Sequence, residues 1–153
     1  MSARCVFLDR DGVVNEKPQP GDYIRSQNEF RLLPNVADWI RLFNALGFLV
    51  IVVTNQRGIA RGFYSEQELA LIHKKMLAIL EQRGARVDDI FYCPHEIDTC
   101  DCRKPKPGMI HAARDKWDID IRRSLFLGDS DSDAELAAAC GMPFLRVVEG
   151  RLA

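Results

Sequence analysis

Short apolar runs alternate with amphipathic stretches along the chain. The runs are CVFLD (5–9), FLVIVV (48–53), DIFYC (89–93), SLFLG (124–128) and FLRVV (144–148). Each has the length and apolar content of a strand. A continuous run such as FLVIVV, with no polar alternation, predicts a strand buried on both faces, as in a parallel sheet. Between the runs the apolar positions follow a helical period. Val36, Trp39, Ile40, Phe43 and Leu46 share one face of a helix that starts near Pro34-Asn35 and stops at Gly47. Ser65-Glu66-Gln67-Glu68 is a capping-box pattern, and the helix it opens carries Leu69, Ile72, Met76, Ile79 and Leu80 to Gly84. A third helix follows Pro107 through Ile110, Ala113 and Trp117, and a fourth covers about 132–140 before Gly141. This βαβα order predicts an α/β fold with a mostly parallel sheet and helices on both faces. Segment 15–31 is polar and rich in turn residues, so it reads as a loop or flap. Nothing is long enough to form a separate cap domain.

The 153 residues suit a single domain, 1–153, with one core. The formal net charge of -1 provides no basic field for nucleic acid. SARCVFLDRDG after Met1 is too short and too charged for the apolar part of a signal peptide. No apolar run approaches the roughly 20 residues of a membrane span. The expectation is a cytoplasmic monomer with neither nucleic acid nor membrane as partner. There are five cysteines, three of them crowded between 93 and 102. In a cytosolic protein that clustering points to metal before disulfide. Cys93, His95, Cys100 and Cys102 form a Cys3His set, which suits a closed, structural Zn2+ site. The loop ends directly before Arg103-Lys104, so a bound zinc would position those two cations. Cys5 and Cys140 lie in apolar contexts and read as buried packing residues.

In open α/β sheets ligands bind beyond the carboxyl ends of the strands. The first strand ends at Asp9-Arg10-Asp11-Gly12, the second at Thr54-Asn55 and the fourth at Gly128-Asp129-Ser130-Asp131-Ser132-Asp133. So many carboxylates repel one another unless a cation sits among them. Oxygen-only donors favour a hard ion, with Mg2+ the natural choice beside phosphate.

FLDRDG, VVTNQ, RKPKPG and LGDSDSD, in this order, resemble the four motifs of the haloacid dehalogenase (HAD) superfamily of phosphatases. The resemblance covers nearly the whole chain. It implies a three-layer, Rossmann-like fold and a set of roles. Asp9 would be the nucleophile that forms a phospho-aspartyl intermediate. Asp11 would protonate the leaving alcohol and later activate water. Thr54 would hydrogen-bond the transferring phosphoryl group, and Lys104 would supply positive charge to it. Asp9, the Asp11 carbonyl and Asp129 would hold Mg2+, with Asp133 behind them. Asp9 is then expected to stay ionised near its reference pKa of about 3.9. Asp11 must be protonated when the leaving group departs.

Within the superfamily, the zinc loop followed by CRKP resembles the heptose 1,7-bisphosphate phosphatases and the histidinol-phosphate phosphatases. TNQRGIARGFYSEQEL, YCPH, CDCRKPKPGM and ARDKWDID are closer to the former. The substrate implied is a small phosphorylated sugar, a heptose 1,7-bisphosphate losing its C7 phosphate. Arg103 would contact substrate, with Asn15, Tyr23, Asn55, Gln56 and Arg57 lining the pocket and Arg25 and Arg61 adding charge nearby. Two features depart from the heptose pattern: the loop between His95 and Cys100 is short, and Ser130 follows Asp129 where that group often carries Lys. Related domains act on nucleic-acid ends, but the balanced charge argues against that substrate here.

Overall fold

A computed structural model describes residues 2–153. Strands β1 (Cys5–Leu8), β2 (Leu49–Asn55), β3 (Asp89–Cys93), β4 (Leu125–Gly128), β5 (Phe144–Val148) and β6 (Arg151–Leu152) form one sheet in the order β3-β2-β1-β4-β5-β6. β1 to β5 are mutually parallel, and only β6 runs antiparallel, against β5. The expected strands therefore form, with β6 added. Its two residues are too few to show a period in the sequence.

Helices α1 (Val36–Ala45), α2 (Glu66–Gln82), α3 (Gly108–Trp117) and α4 (Asp131–Cys140) lie between the strands. The capping box at Ser65 forms as the sequence predicts, with Ser65 and Glu68 exchanging side-chain-to-backbone hydrogen bonds. A second box opens α4, between Ser130 and Asp133. The apolar face of α1 is narrower than its sequence suggests. Val36, Ala37 and Ile40 are buried, whereas Leu46, the C-cap, is 53% exposed. The turn at Gly47 carries Leu46 away from the sheet.

Side chains along each strand alternate between two apolar layers. Val6, Leu8, Val50 and Val52 pack with Ile40, Ile72, Met76 and Leu80 from α1 and α2. Cys5, Phe7, Ile51, Val53 and Phe126 pack with Ile110, Ala113 and Leu136 from α3 and α4. Each Val, Leu, Ile, Phe or Met among them, fully buried, contributes about 1.5–3 kcal/mol. Cys5 is buried as expected, but Cys140 is only half-buried, because it ends α4 beside the C-cap glycine.

The polar segment 15–31 is not a free flap. Ile24 and Phe30 anchor it in the core, and Asn15 bridges to Asp11 and Leu32. Among the described residues, this β1–α1 connection holds only a single 3-10 turn, Gln27–Glu29. No helix among the described residues is long and apolar enough to cross a membrane.

Candidate active site

β1, β2 and β4 are adjacent, so their carboxyl ends bring Asp9, Thr54 and Asp129 to one edge of the sheet. The loop from β3 to α3 adds Lys104. Its ammonium is buried and lies 2.9 Å from Asp9 Oδ1, 3.1 Å from the Val53 carbonyl and 2.7 Å from Asp133 Oδ1. The first two contacts are hydrogen bonds. The third is a close ion pair whose angle is not that of a hydrogen bond, and Asp133 Oδ1 has no aligned donor. Burial alone would lower the Lys104 pKa, but Asp9 and Asp133 outweigh it and hold the ammonium charged.

Asp9 departs from expectation. With no cation among the carboxylates its carboxyl is pushed well above the ordinary range, by burial first, against the pull of Lys104 and with Asp133 and Asp129 adding to the rise; a cation bound among them would favour the ionised form. Three carboxylates, Asp9, Asp129 and Asp133, place an oxygen each within 4.8 Å of one another. Against them stand Lys104 and the exposed Lys17, whose Nζ lies 2.8 Å from Asp129 Oδ2. Three carboxylates against two ammoniums leave negative charge in excess, and the all-oxygen donor set favours a hard cation such as Mg2+ among them. The backbone makes room for the cluster at Gly12. Its φ is +90°, and a Cβ there would fall 2.2 Å from Asp129 Oδ2, so only glycine fits. The donor set thus suits such an ion. The Asp11 carboxylate is not one of the cluster.

Asp11 is held separately. Its Oδ1 accepts from Arg10 Nε at 3.0 Å, Arg10 Nη2 at 2.8 Å and Asn15 Nδ2 at 3.0 Å. Arg10 is fully buried, and its Nη1 lies 3.2 Å from His73 Nε2 on α2. Neither Arg10 nor His73 stands out in the sequence. Arg10 sits inside an acidic motif that draws attention to its neighbours, and His73 lies on the apolar face of a helix.

Several residues expected in the pocket support it from behind instead. Gln56 is buried; its Nε2 donates to Thr54 Oγ1 at 2.9 Å and its Oε1 accepts from Tyr64 Oη. The Thr54 hydroxyl itself makes only a long contact, 3.5 Å, to the Asn55 carbonyl. The Asn55 side chain accepts from Lys104 N at 3.0 Å through Oδ1 and so ties β2 to the Lys104 loop. Asn15 is also buried, and its side chain serves Asp11. Asp133 closes the α4 cap and accepts from the Asp129 and Ser130 amides at 3.3 and 3.4 Å.

The expected rim residues do gather. Tyr23 Oη accepts from Arg57 Nε at 3.3 Å, and its ring lies 5.5 Å from Phe63. Arg57 Nη1 and Arg61 Nε reach the two oxygens of Glu96 at 3.4 and 3.1 Å. Glu96, unnoticed in the sequence, thereby joins the β2–α2 loop to the cysteine loop. Arg25 is exposed, paired with Asp22 and lying over the Phe63 ring. Arg103 lines a cavity of about 350 Å³ with Ile97, Asp98 and Lys106, and its Nη1 is buried without a partner.

Cys93, His95, Cys100 and Cys102 converge as the sequence predicts. His95 Nδ1 lies 3.2 Å from Cys102 Sγ, and Cys93 Sγ lies 3.4 Å from Cys100 Sγ and 2.9 Å from Cys102 Sγ. A tetrahedron of 2.3 Å metal–sulfur bonds has edges of about 3.8 Å, so small adjustments would admit an ion. None of the cysteines is in a disulfide.

A buried carboxylate beside a lysine, a separately held second acid and a threonine hydroxyl meet at one strand edge, the arrangement of a phosphatase-type site of the HAD class. A model of the polynucleotide kinase 3 phosphatase family matches residues 5–146, and the chain belongs to that family. A D-glycero-beta-D-manno-heptose-1,7-bisphosphate 7-phosphatase of Rhodopseudomonas palustris is 42% identical over 93% of this chain and 82% of its own length. The D-glycero-alpha-D-manno-heptose-1,7-bisphosphate 7-phosphatase of Photorhabdus laumondii is 38% identical over 92% of this chain and 79% of its own. Among solved structures, the D,D-heptose 1,7-bisphosphate phosphatase of B. bronchiseptica, complexed with magnesium and phosphate, superposes with a TM-score of 0.88. It is 37% identical and covers 97% of this chain and 83% of that one.

Proposed function

We propose that this chain is a magnesium-dependent phosphatase that removes the C7 phosphate of a D-glycero-D-manno-heptose 1,7-bisphosphate. The observation that carries the chemistry is the division of labour between two carboxylates two residues apart. Asp9 faces Lys104 and the acidic cluster, whereas Asp11 is fixed by Arg10 and Asn15 outside it. Unlike environments give unlike roles.

An Asp9 oxygen attacks phosphorus as the ester P–O bond breaks, and Asp11 gives its proton to the departing alkoxide. Water then attacks phosphorus of the acyl phosphate and Asp11 takes the water proton. Free phosphate leaves and Asp9 is restored. Thr54 and Lys104 hold the phosphoryl oxygens throughout. Asp9, Asp129 and the Asp11 carbonyl would hold Mg2+, which supplies positive charge where the phosphoryl oxygens gather. The Cys3His loop would hold a structural Zn2+ and, through Glu96, fix Arg57 and Arg61 at the rim.

The substrate assignment rests on the heptose-bisphosphatase relatives, which are named for both anomers. Phosphate release is to be compared over both anomers of heptose 1,7-bisphosphate, histidinol phosphate and a 3′-phosphorylated oligonucleotide. A heptose anomer preferred by about 100-fold in kcat/KM, about 2.7 kcal/mol, is expected. A preference for histidinol phosphate or the oligonucleotide overturns this substrate.

A further inference from the structure

The Arg10 guanidinium makes contacts in two directions. Two of its nitrogens, Nε and Nη2, converge on a single oxygen, Asp11 Oδ1. The third, Nη1, points the other way, to His73 Nε2. Asn15 Nδ2 adds a third donor to the same Asp11 oxygen. Arg10 and Asn15 are fully buried and His73 is nearly so, so water competes little for these contacts. With Oδ1 engaged by three donors, only Oδ2 is left to face the cleft.

We propose that His73 is a positioning residue: by accepting from Arg10 Nη1 it fixes the guanidinium that presents Asp11 Oδ2 to the leaving-group oxygen. A guanidinium only donates, so His73 Nε2 must be the bare nitrogen and Nδ1 must carry the hydrogen. The surroundings agree with a neutral ring, since burial and then Arg10 press its pKa down to about 3. Without the His73 acceptor, Arg10 Nη1 would be a buried donor without a partner. The planar fork would then tilt toward other acceptors and carry Asp11 with it. The loss would fall on proton donation to the leaving group and not on the attack by Asp9.

The inference rests on the phosphatase reading, and its test separates the two. kcat/KM reads the steps up to release of the alcohol, so hydrolysis of the intermediate does not enter it. An ester with an alkyl leaving group, glycerol 2-phosphate, needs the acid, whereas 2,4-dinitrophenyl phosphate does not. His73→Leu should lower kcat/KM on glycerol 2-phosphate by at least about 10-fold, and by no more than the 10²–10⁴ that a general acid contributes in full. On the dinitrophenyl ester it should change by less than about threefold. His73→Gln, which keeps an acceptor for Arg10, should restore the alkyl ester to within about threefold of wild type. Equal losses on the two esters, or no loss on either, overturn the positioning role. A wild-type protein that hydrolyses neither of these esters nor heptose 1,7-bisphosphate overturns the phosphatase reading instead. One measurement depends on neither folding of the variants nor activity. Nitrogen-15 NMR of the wild-type imidazole should show Nδ1 protonated and Nε2 bare at neutral pH. A hydrogen on Nε2 excludes the Arg10 contact and overturns the proposal.

Discussion

Lys104 shows how closely charge is matched at the level of single residues. It is buried, and it touches Asp9 and Asp133 while Asp129 lies close by. Removing one member of such a buried pair leaves charge uncompensated, at about 3–5 kcal/mol. Lys104→Met should therefore lower the thermal midpoint markedly, and millimolar Mg2+ should recover more of it than in wild type. A melt unchanged from wild type in metal-free buffer would contradict the pairing. His73 makes a different prediction. Its folded pKa is depressed to about 3 by burial first and Arg10 second, whereas the unfolded chain binds a proton near 6.5. Its contribution to stability is full above pH 6.5 and is lost as the pH falls toward 3, by up to about 1.4 kcal/mol per unit. Between pH 7 and pH 5 the wild-type protein should lose about 2 kcal/mol more than His73→Gln, as measured by urea unfolding. Parallel losses would show that the imidazole is not buried neutral. At this scale the sequence pointed to the residues proposed to do the chemistry and hid those that hold them. Asp9, Asp11, Thr54 and Lys104 lie in motifs of recognisable composition. Arg10, His73, Tyr64 and Glu96 act through contacts across the fold that no local pattern encodes.

Elements carry these residues to their places. The continuous apolar runs predicted buried parallel strands because both faces of the sheet are covered by helices. The reading was less complete where tertiary contact overrides local composition. Segment 15–31 is polar, yet Ile24 and Phe30 pin it to the core. Three hydrophobic side chains in seventeen residues, Tyr23, Ile24 and Phe30, show no regular period. The cysteine loop was legible because four metal-binding side chains within ten residues are a composition signal in themselves. Its link to the rim through Glu96, Arg57 and Arg61 was not. Treatment with a strong zinc chelator should raise hydrogen exchange across 93–104 and in the 56–62 loop while leaving β1, β2 and β4 protected. Loss of protection throughout the sheet would mean the loop supports the whole fold. No change in either loop would mean the cluster holds no structural metal.

On the scale of the molecule, the order β3-β2-β1-β4-β5-β6 places β1 at the centre, with β2 and β4 at its sides. That order assembles Asp9, Thr54 and Asp129 at one edge from stretches more than forty residues apart in sequence. The strand ends could be read one by one, and the parallel topology makes them a single site. The approach of Gly12 to Asp129 is part of this convergence. Gly12→Ala should therefore disable the site by displacing Asp129, lowering phosphatase activity by at least about 10-fold; unchanged activity would contradict the close approach. The claim on which the rest depends is that Asp9 is the nucleophile. The most direct test is phosphate release from heptose 1,7-bisphosphate with Mg2+ by wild type and Asp9→Asn, with folding of the variant checked by its melt. The wild type should turn over and the folded variant should release no measurable phosphate. A folded Asp9→Asn protein that retains full activity would contradict the account.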